Sequence, residues 1–184
     1  MNEIELKARV KDKAAVEKKL NSFAAFKHAV TRDDTYFKSP SVKAKKIRIR
    51  QETEDGKVRW FLTYKKKENK KSSDGTLTEV NEELETEIED PKPIATYFLD
   101  SDFTVDLTKH KEILGWTFEG ANLELCNVPP LGWFLEIEIL TEKNDDDAVQ
   151  AAQKKLKELL LKAGLTADDI EEKYYSQLLK EYYK

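Results

Sequence analysis

Apolar and charged residues alternate with a period of two along much of this chain. In residues 2–10, Ile4, Leu6, Ala8 and Val10 alternate with Glu3, Glu5, Lys7 and Arg9. Successive strand side chains point to opposite faces, so the stretch predicts a strand with one apolar and one charged face. Ile47 and Ile49 alternate with Arg48 and Arg50 in the same way. Phe61, Thr63 and Lys65 alternate with Trp60, Leu62 and Tyr64. Lys45 to Glu54 and Lys57 to Lys66 therefore read as a hairpin across Asp55-Gly56, a dipeptide suited to a tight turn with positive φ. Residues 28–37 and 77–88 are further strands, the latter with Glu83, Glu85 and Glu87 on one side. Phe103 to Phe118 and Leu123 to Val128 pair around residues 119–122. Trp133 to Leu140 is the last strand, with Phe134, Glu136 and Glu138 on one face and Trp133, Leu135, Ile137 and Ile139 on the other.

Helical spacing appears between and after the strands. Asp12 can cap a helix to Phe23 with Val16, Leu20 and Phe23 as its inner stripe. A short helix follows Asp90-Pro91 to about Leu99, with Pro at the tolerated first position. Asp145 to Ala163 forms a longer helix that stops at Gly164. A last helix starts at Thr166, with Asp169 as its capping partner and Ile170, Tyr174, Leu178 and Tyr182 as its stripe. About eight strands with few crossovers point to an α+β fold. An antiparallel β-barrel covered by helices is the simplest closed form, in one domain over 1–184 with C-terminal helices from about 145.

Helices that cover the apolar strand faces leave the charged faces pointing inward. Buried charges are costly unless they are paired or hold a ligand. Charged residues make up 37% of the chain, yet its formal net charge is only −4, so a uniformly basic nucleic-acid binder is not expected. An enclosed lining with both signs suits a polyphosphate with a divalent cation. Carboxylates hold a hard metal through oxygen, and Arg and Lys neutralise phosphate oxygens. The candidate metal ligands are Glu3, Glu5, Glu136 and Glu138. The candidate phosphate ligands are Lys7, Arg9, Arg48, Arg50, Lys65, Lys109 and Lys111, with Glu83 and Glu85 as orienting groups.

Cys126 is the single cysteine, which excludes an internal disulfide and a Cys-based zinc cage. Without a signal core, transit peptide or apolar span of roughly 20 residues, a cytoplasmic protein with no membrane partner is expected. No Walker loop, dinucleotide fingerprint or Ser nucleophile elbow is present. His28 and His110 lack a metal-ligand neighbour pattern. Trp60, Trp116 and Trp133 read as packing residues, and Cys126 as a small core residue.

Glu3-Ile4-Glu5-Leu6-Lys7 resembles the ExExK signature of the CYTH family, the triphosphate tunnel metalloenzymes. The resemblance continues through Asp34-Thr35-Tyr36-Phe37, Ile47-Arg48-Ile49-Arg50, Thr63-Tyr64-Lys65, Leu131 to Glu138, and the tail Tyr175 to Leu179. It implies an eight-stranded antiparallel barrel around a tunnel. By the same resemblance Glu5 and Glu136 bind the catalytic Mg²⁺ (or Mn²⁺), assisted by Glu3 and Glu138, while Lys7, Arg48, Arg50, Lys65 and Lys111 hold phosphates. Glu5, Lys7, Lys111 and Glu136 form the catalytic set. Three positions depart from the family pattern: Cys126 stands where Asp is usual, Asn81 where Arg is usual, and Lys111 where Arg is usual.

The function implied is that of a class IV adenylate-cyclase-like enzyme making cyclic AMP and pyrophosphate from ATP, as a monomer or homodimer. A triphosphate hydrolase acting on thiamine triphosphate or tripolyphosphate needs the same cradle. A non-catalytic nucleotide- or polyphosphate-binding module would need only its basic part.

Overall fold

Eight antiparallel strands close on themselves in the order β1-β5-β4-β3-β2-β6-β7-β8, with β8 returning to pair with β1. They are β1 (Asn2–Val10), β2 (Ala25–Lys38), β3 (Lys46–Glu54), β4 (Lys57–Lys71), β5 (Leu77–Ile88), β6 (Thr104–Phe118), β7 (Ala121–Val128) and β8 (Gly132–Thr141). The helices are α1 (Lys13–Phe23), α2 (Lys92–Asp100), α3 (Asp146–Lys162) and α4 (Tyr175–Tyr182). The computed structural model describes residues 2–41, 46–71, 77–142 and 146–184, with side chains at all of these except 2, 46, 65–71, 77–83 and 146.

Local chemistry accounts for most boundaries. The Asp12 carboxylate accepts a hydrogen bond from the Ala15 amide at 3.0 Å and opens α1. Asp55 and Gly56, with φ of 49° and 76°, make the β3–β4 turn. Glu119 and Gly120, with φ of 47° and 79°, make a second tight turn. β7 therefore begins at Ala121, two residues before the expected start, and Ala121 pairs with Phe118.

Apolar faces point outward and helices cover them. Ile4, Leu6 and Ala8 of β1 and Leu135 and Ile137 of β8 pack with Val16 and Leu20 of α1 and Leu156 and Leu160 of α3. Burying each large side chain here is worth about 1.5–3 kcal/mol. On the far side Phe98 of α2 covers Phe37 and Ile49. The barrel interior is not wholly charged. Val30, Ile113, Cys126, Val128 and Phe134 form an apolar cluster that takes Tyr175 and Leu178 of α4.

The last expected helix is corrected. Thr166 and Asp169 do form a reciprocal cap, the Thr166 amide donating to Asp169 at 2.9 Å, but only a three-residue turn, Ala167–Asp169, follows. Ile170 then bridges to Ala8, and the Glu171 amide donates to the Lys7 carbonyl at 2.8 Å. The cause lies in β1. Its pairing with β5 covers only Asn2 to Glu5, so backbone groups beyond Glu5 remain open on that side. The 170–171 backbone satisfies them, and this outweighs the helical preference. Among the described residues no helix is long and apolar enough to cross a membrane.

Candidate active site

The period-two pattern and the antiparallel register bring the charged faces together around one cavity of about 910 Å³. Glu5 of β1 lies opposite Glu138 of β8, and Lys7 lies opposite Glu136. Directly opposed residues share a face, so these four side chains converge. Asp34 of β2 pairs with Arg50 of β3 and Lys109 of β6, while Arg32 pairs with Lys111. Glu3, Glu5, Lys7, Arg48, Arg50, Glu85, Lys109, Lys111, Glu136 and Glu138 all line the cavity. Arg9 does not. Its guanidinium donates to Glu171 at 2.8 Å and its side chain is 44% exposed. The side chains of Lys65, Asn81 and Glu83 lie outside the described residues.

Charge is graded along the barrel. From one mouth inward, β1 presents Glu3, Glu5 and Lys7, and β8 presents Leu140, Glu138 and Glu136. β6 presents Thr117, Gly115, Lys111 and Lys109. On these strands Glu3, Glu5 and Glu138 lie toward one end and Lys109 and Lys111 toward the other, while Lys27 also lines the cavity beside His28 and Glu85 lines it beside Arg48.

At the cationic end, Asp34 is the hub. Its carboxylate accepts from Arg50 Nε at 2.7 Å and from an Arg50 terminal nitrogen at 3.2 Å. Lys109 Nζ lies 3.1 Å away and Arg48 3.9 Å away. Burial opposes its charge, but Lys109, Arg50 and Arg48 outweigh burial and hold Asp34 well below the ordinary carboxylate range. Arg48 is fixed on its other side by Thr63 at 3.0 Å and Glu85 at 3.3 Å. Three cations are thus held in place by Asp34, Thr63 and Glu85.

At the junction, Lys111 Nζ donates to both oxygens of Glu136 at 2.6 Å. Burial again opposes the charge, yet the Lys111 ammonium keeps Glu136 strongly ionised. Glu124 accepts from Arg32 at 3.0 Å on both oxygens and lies 4.0 Å from His28. His28 sits over Gly115, where a Cβ would come within 2.3 Å of its ring. Glu124, Cys126 and Glu136 bring one donor atom each within 4.8 Å of one another. Glu124, two residues before Cys126, thus presents a carboxylate on the same face of β7. Burial and Glu136 push the Cys126 thiol well up, so it remains a neutral, poor ligand for a hard cation.

At the acidic end, burial pushes Glu138 up to about 9, with Glu3 first and then Glu5 and Glu124 adding to the effect. Crowded carboxylates that must retain a proton are the condition a divalent cation relieves. The donors of Glu3, Glu5, Glu136 and Glu138 are all oxygen, the type a hard ion such as Mg²⁺ or Mn²⁺ takes, but among the described residues the cluster whose donor atoms lie within 4.8 Å of one another is Glu124, Cys126 and Glu136. The raised value means that Glu138 supports folding fully below its unfolded range near 4.3 and that this support is lost as pH rises toward 9. Mg²⁺ binding at pH 7.5 is expected to release about one proton per chain. Calorimetry in two buffers of different ionisation enthalpy reads this directly; identical heats would rule Glu138 out as a ligand that gives up its proton.

Asp34, Arg32, Glu124 and Tyr175 were not among the sequence candidates. Glu124 shares the parity of Cys126 and could have been found from it. Asp34 reads as an unremarkable member of a motif until its three cations are seen.

A family model described as CYTH domain matches residues 1–175. The chain belongs to the CYTH family. As a CYTH domain it is similar to the PH1819 protein of Pyrococcus horikoshii OT3, at 27% identity and a TM-score of 0.82 over 98% of this chain and 99% of that one. It also shares its fold with a candidate adenylate cyclase of Vibrio parahaemolyticus, at 18% identity and a TM-score of 0.76 over 97% of each chain. HpAC1 of Hippeastrum, a candidate adenylyl cyclase described as having a dominant triphosphatase activity, superimposes with a TM-score of 0.68 at 17% identity, over 98% of this chain and 95% of that one. No curated protein sequence matches the chain. The closed eight-stranded barrel is the tunnel fold expected for a CYTH domain.

Proposed function

We propose that this CYTH domain is a divalent-cation-dependent enzyme that converts ATP to cyclic AMP and pyrophosphate. The supporting observation is the order of charge along the cavity. Beyond the carboxylates, toward the nearer mouth, the lining continues through His28, Thr117, Asn122 and Leu140. The volume of about 910 Å³ lies within the roughly 300–1,000 Å³ typical of organic-ligand pockets. An organic group at that mouth brings its α-phosphate to the carboxylates and its β- and γ-phosphates to the cations.

In this reading the ribose 3′-hydroxyl attacks the α-phosphorus, and the bond to the bridging oxygen of pyrophosphate breaks. Arg48, Arg50 and Lys109 neutralise the leaving pyrophosphate from positions that Asp34 has already set, so little reorganisation accompanies the reaction. Lys111 would pass from Glu136 to a phosphate oxygen, freeing Glu136. Glu5 and Glu136, with Glu3 and Glu138, would hold the cation, which when bound stabilises developing charge and lowers the hydroxyl pKa.

Entry from the opposite mouth, lined by Leu107, Tyr36, Tyr174 and Ser176, reverses the substrate. The γ-phosphate would then meet the carboxylates, and water would be the nucleophile. Incubation with Mg-ATP separates the two: cyclic AMP plus pyrophosphate is expected, and ADP plus phosphate would replace the cyclase reading with hydrolysis. Binding with no turnover on ATP, thiamine triphosphate or tripolyphosphate would leave a binding module.

A further inference from the structure

Strand β2 is irregular where it reaches the carboxylate end of the tunnel. Arg32 and Tyr36 line the cavity, and a regular strand would turn His28 and Phe26 the same way. The register against β6 shifts at this point. Phe26 pairs with Trp116 and His28 with Gly115, so Lys27 is an extra residue in the ladder. Such a bulge re-aims the side chains around it. Phe26 turns to Trp116 instead and packs edge-on against it at 5.5 Å between centroids. Lys27 and His28, although adjacent in the chain, both line the cavity.

Gly115 makes room for this arrangement. A Cβ there would lie 2.3 Å from His28 Nε2 and 2.7 Å from Cδ2. Nε2 is shielded and completes no hydrogen bond, and Glu124 stands 4.0 Å from it. The fit over Gly115 therefore sets the ring, which keeps 31% of its side chain exposed. Lys27 is exposed, and Thr117, Asn122 and Leu140 complete this mouth. A ring, an apolar side chain and a few polar groups suit an organic ligand. A further phosphate does not fit here, because Glu3, Glu5 and Glu138 line the next stretch inward and repel it. Lys27 offers donors and no acceptor, so its partner must be an acceptor.

We propose that Lys27 and His28 form the subsite that reads the organic group of the triphosphate. That group is a neutral nucleobase, to which Lys27 donates through a ring nitrogen or carbonyl oxygen and against which His28 packs. This inference rests on the proposed triphosphate reading, with the organic group at this mouth. It makes the bulge a specificity-determining element, since neither residue reaches the phosphates.

Lys27→Met removes the charge and keeps most of the length, at an exposed position where folding is not at stake. Calorimetry with Mg²⁺ and 3′-deoxy-ATP, which cannot cyclise, reads the subsite; tripolyphosphate reads the phosphate cradle alone. Lys27→Met is expected to weaken 3′-deoxy-ATP about tenfold, as for a lost hydrogen bond to a charged group, and to leave tripolyphosphate within about threefold. Gly115→Ala, whose Cβ displaces the His28 ring, is expected to weaken 3′-deoxy-ATP selectively as well, and to add nothing in a His28→Ala background. Equal weakening of both ligands by Lys27→Met would overturn the assignment, because Lys27 would then act on phosphate. Unchanged 3′-deoxy-ATP affinity in both variants would also overturn it. A parent that binds tripolyphosphate but 3′-deoxy-ATP no more tightly has no such subsite, and only this inference is lost. A parent that binds neither ligand ends the triphosphate reading and this inference with it.

Discussion

Glu136→Gln is expected to lower turnover about 10²–10³-fold, as does loss of one pre-oriented charged group from an enclosed site. Gln keeps the shape of the side chain and removes the charge. Two consequences follow from one substitution. The carboxylate set loses the member nearest the cations, and Lys111 loses the partner that contacts it through both oxygens at 2.6 Å. Leaving Lys111 buried and uncompensated should itself cost about 3–5 kcal/mol of stability. Adding Lys111→Met separates the two effects. The double variant removes both charges, so denaturation should return toward the parent value while turnover stays low. Recovery of turnover together with stability would mean that Glu136 acts only as a structural counter-ion. Turnover of Glu136→Gln within threefold of the parent would move the cation site elsewhere in the tunnel.

Asp34→Asn is expected to destabilise by about 3–5 kcal/mol as well, because it takes the carboxylate from Arg50 and Lys109 and leaves Glu85 as the carboxylate beside Arg48 among the described residues. Urea denaturation at pH 7 measures the loss. Its pH dependence gives a second signature. Asp34 is depressed in the folded state, so its contribution is present above its unfolded range near 3.9 and is lost as pH falls through the folded value. The gap between parent and variant should therefore be wide at neutral pH and narrow in acid. A constant gap across that range would mean that the charge of Asp34 does not hold the cations. Adding tripolyphosphate should narrow the gap as well, since phosphate supplies the missing negative charge.

The ion pairs themselves follow from register, which a single strand does not carry. Arg48 and Arg50 could be assigned to one face from alternation alone. That Arg50 binds Asp34 while Arg48 turns to Thr63 and Glu85 depends on which strand lies on each side. Arg9 illustrates the reverse. It keeps the parity of Glu3, Glu5 and Lys7, yet it lies beyond the end of the β1–β5 pairing. The extended 170–171 segment occupies that edge and Glu171 captures its guanidinium. Parity says which way a side chain leaves the strand; it does not say what lies there.

Alternation and turn chemistry were enough to indicate eight strands, their faces and an inward charged lining, because each depends on residues near one another in the chain. Tertiary structure alone decided the order of charge along the barrel, the hub at Asp34, the carboxylate of Glu124 beside Cys126 and the three lysines gathered around the Tyr175 ring. Each of these joins residues from different strands, and their energies depend on burial and distance, which exist only once the barrel has closed.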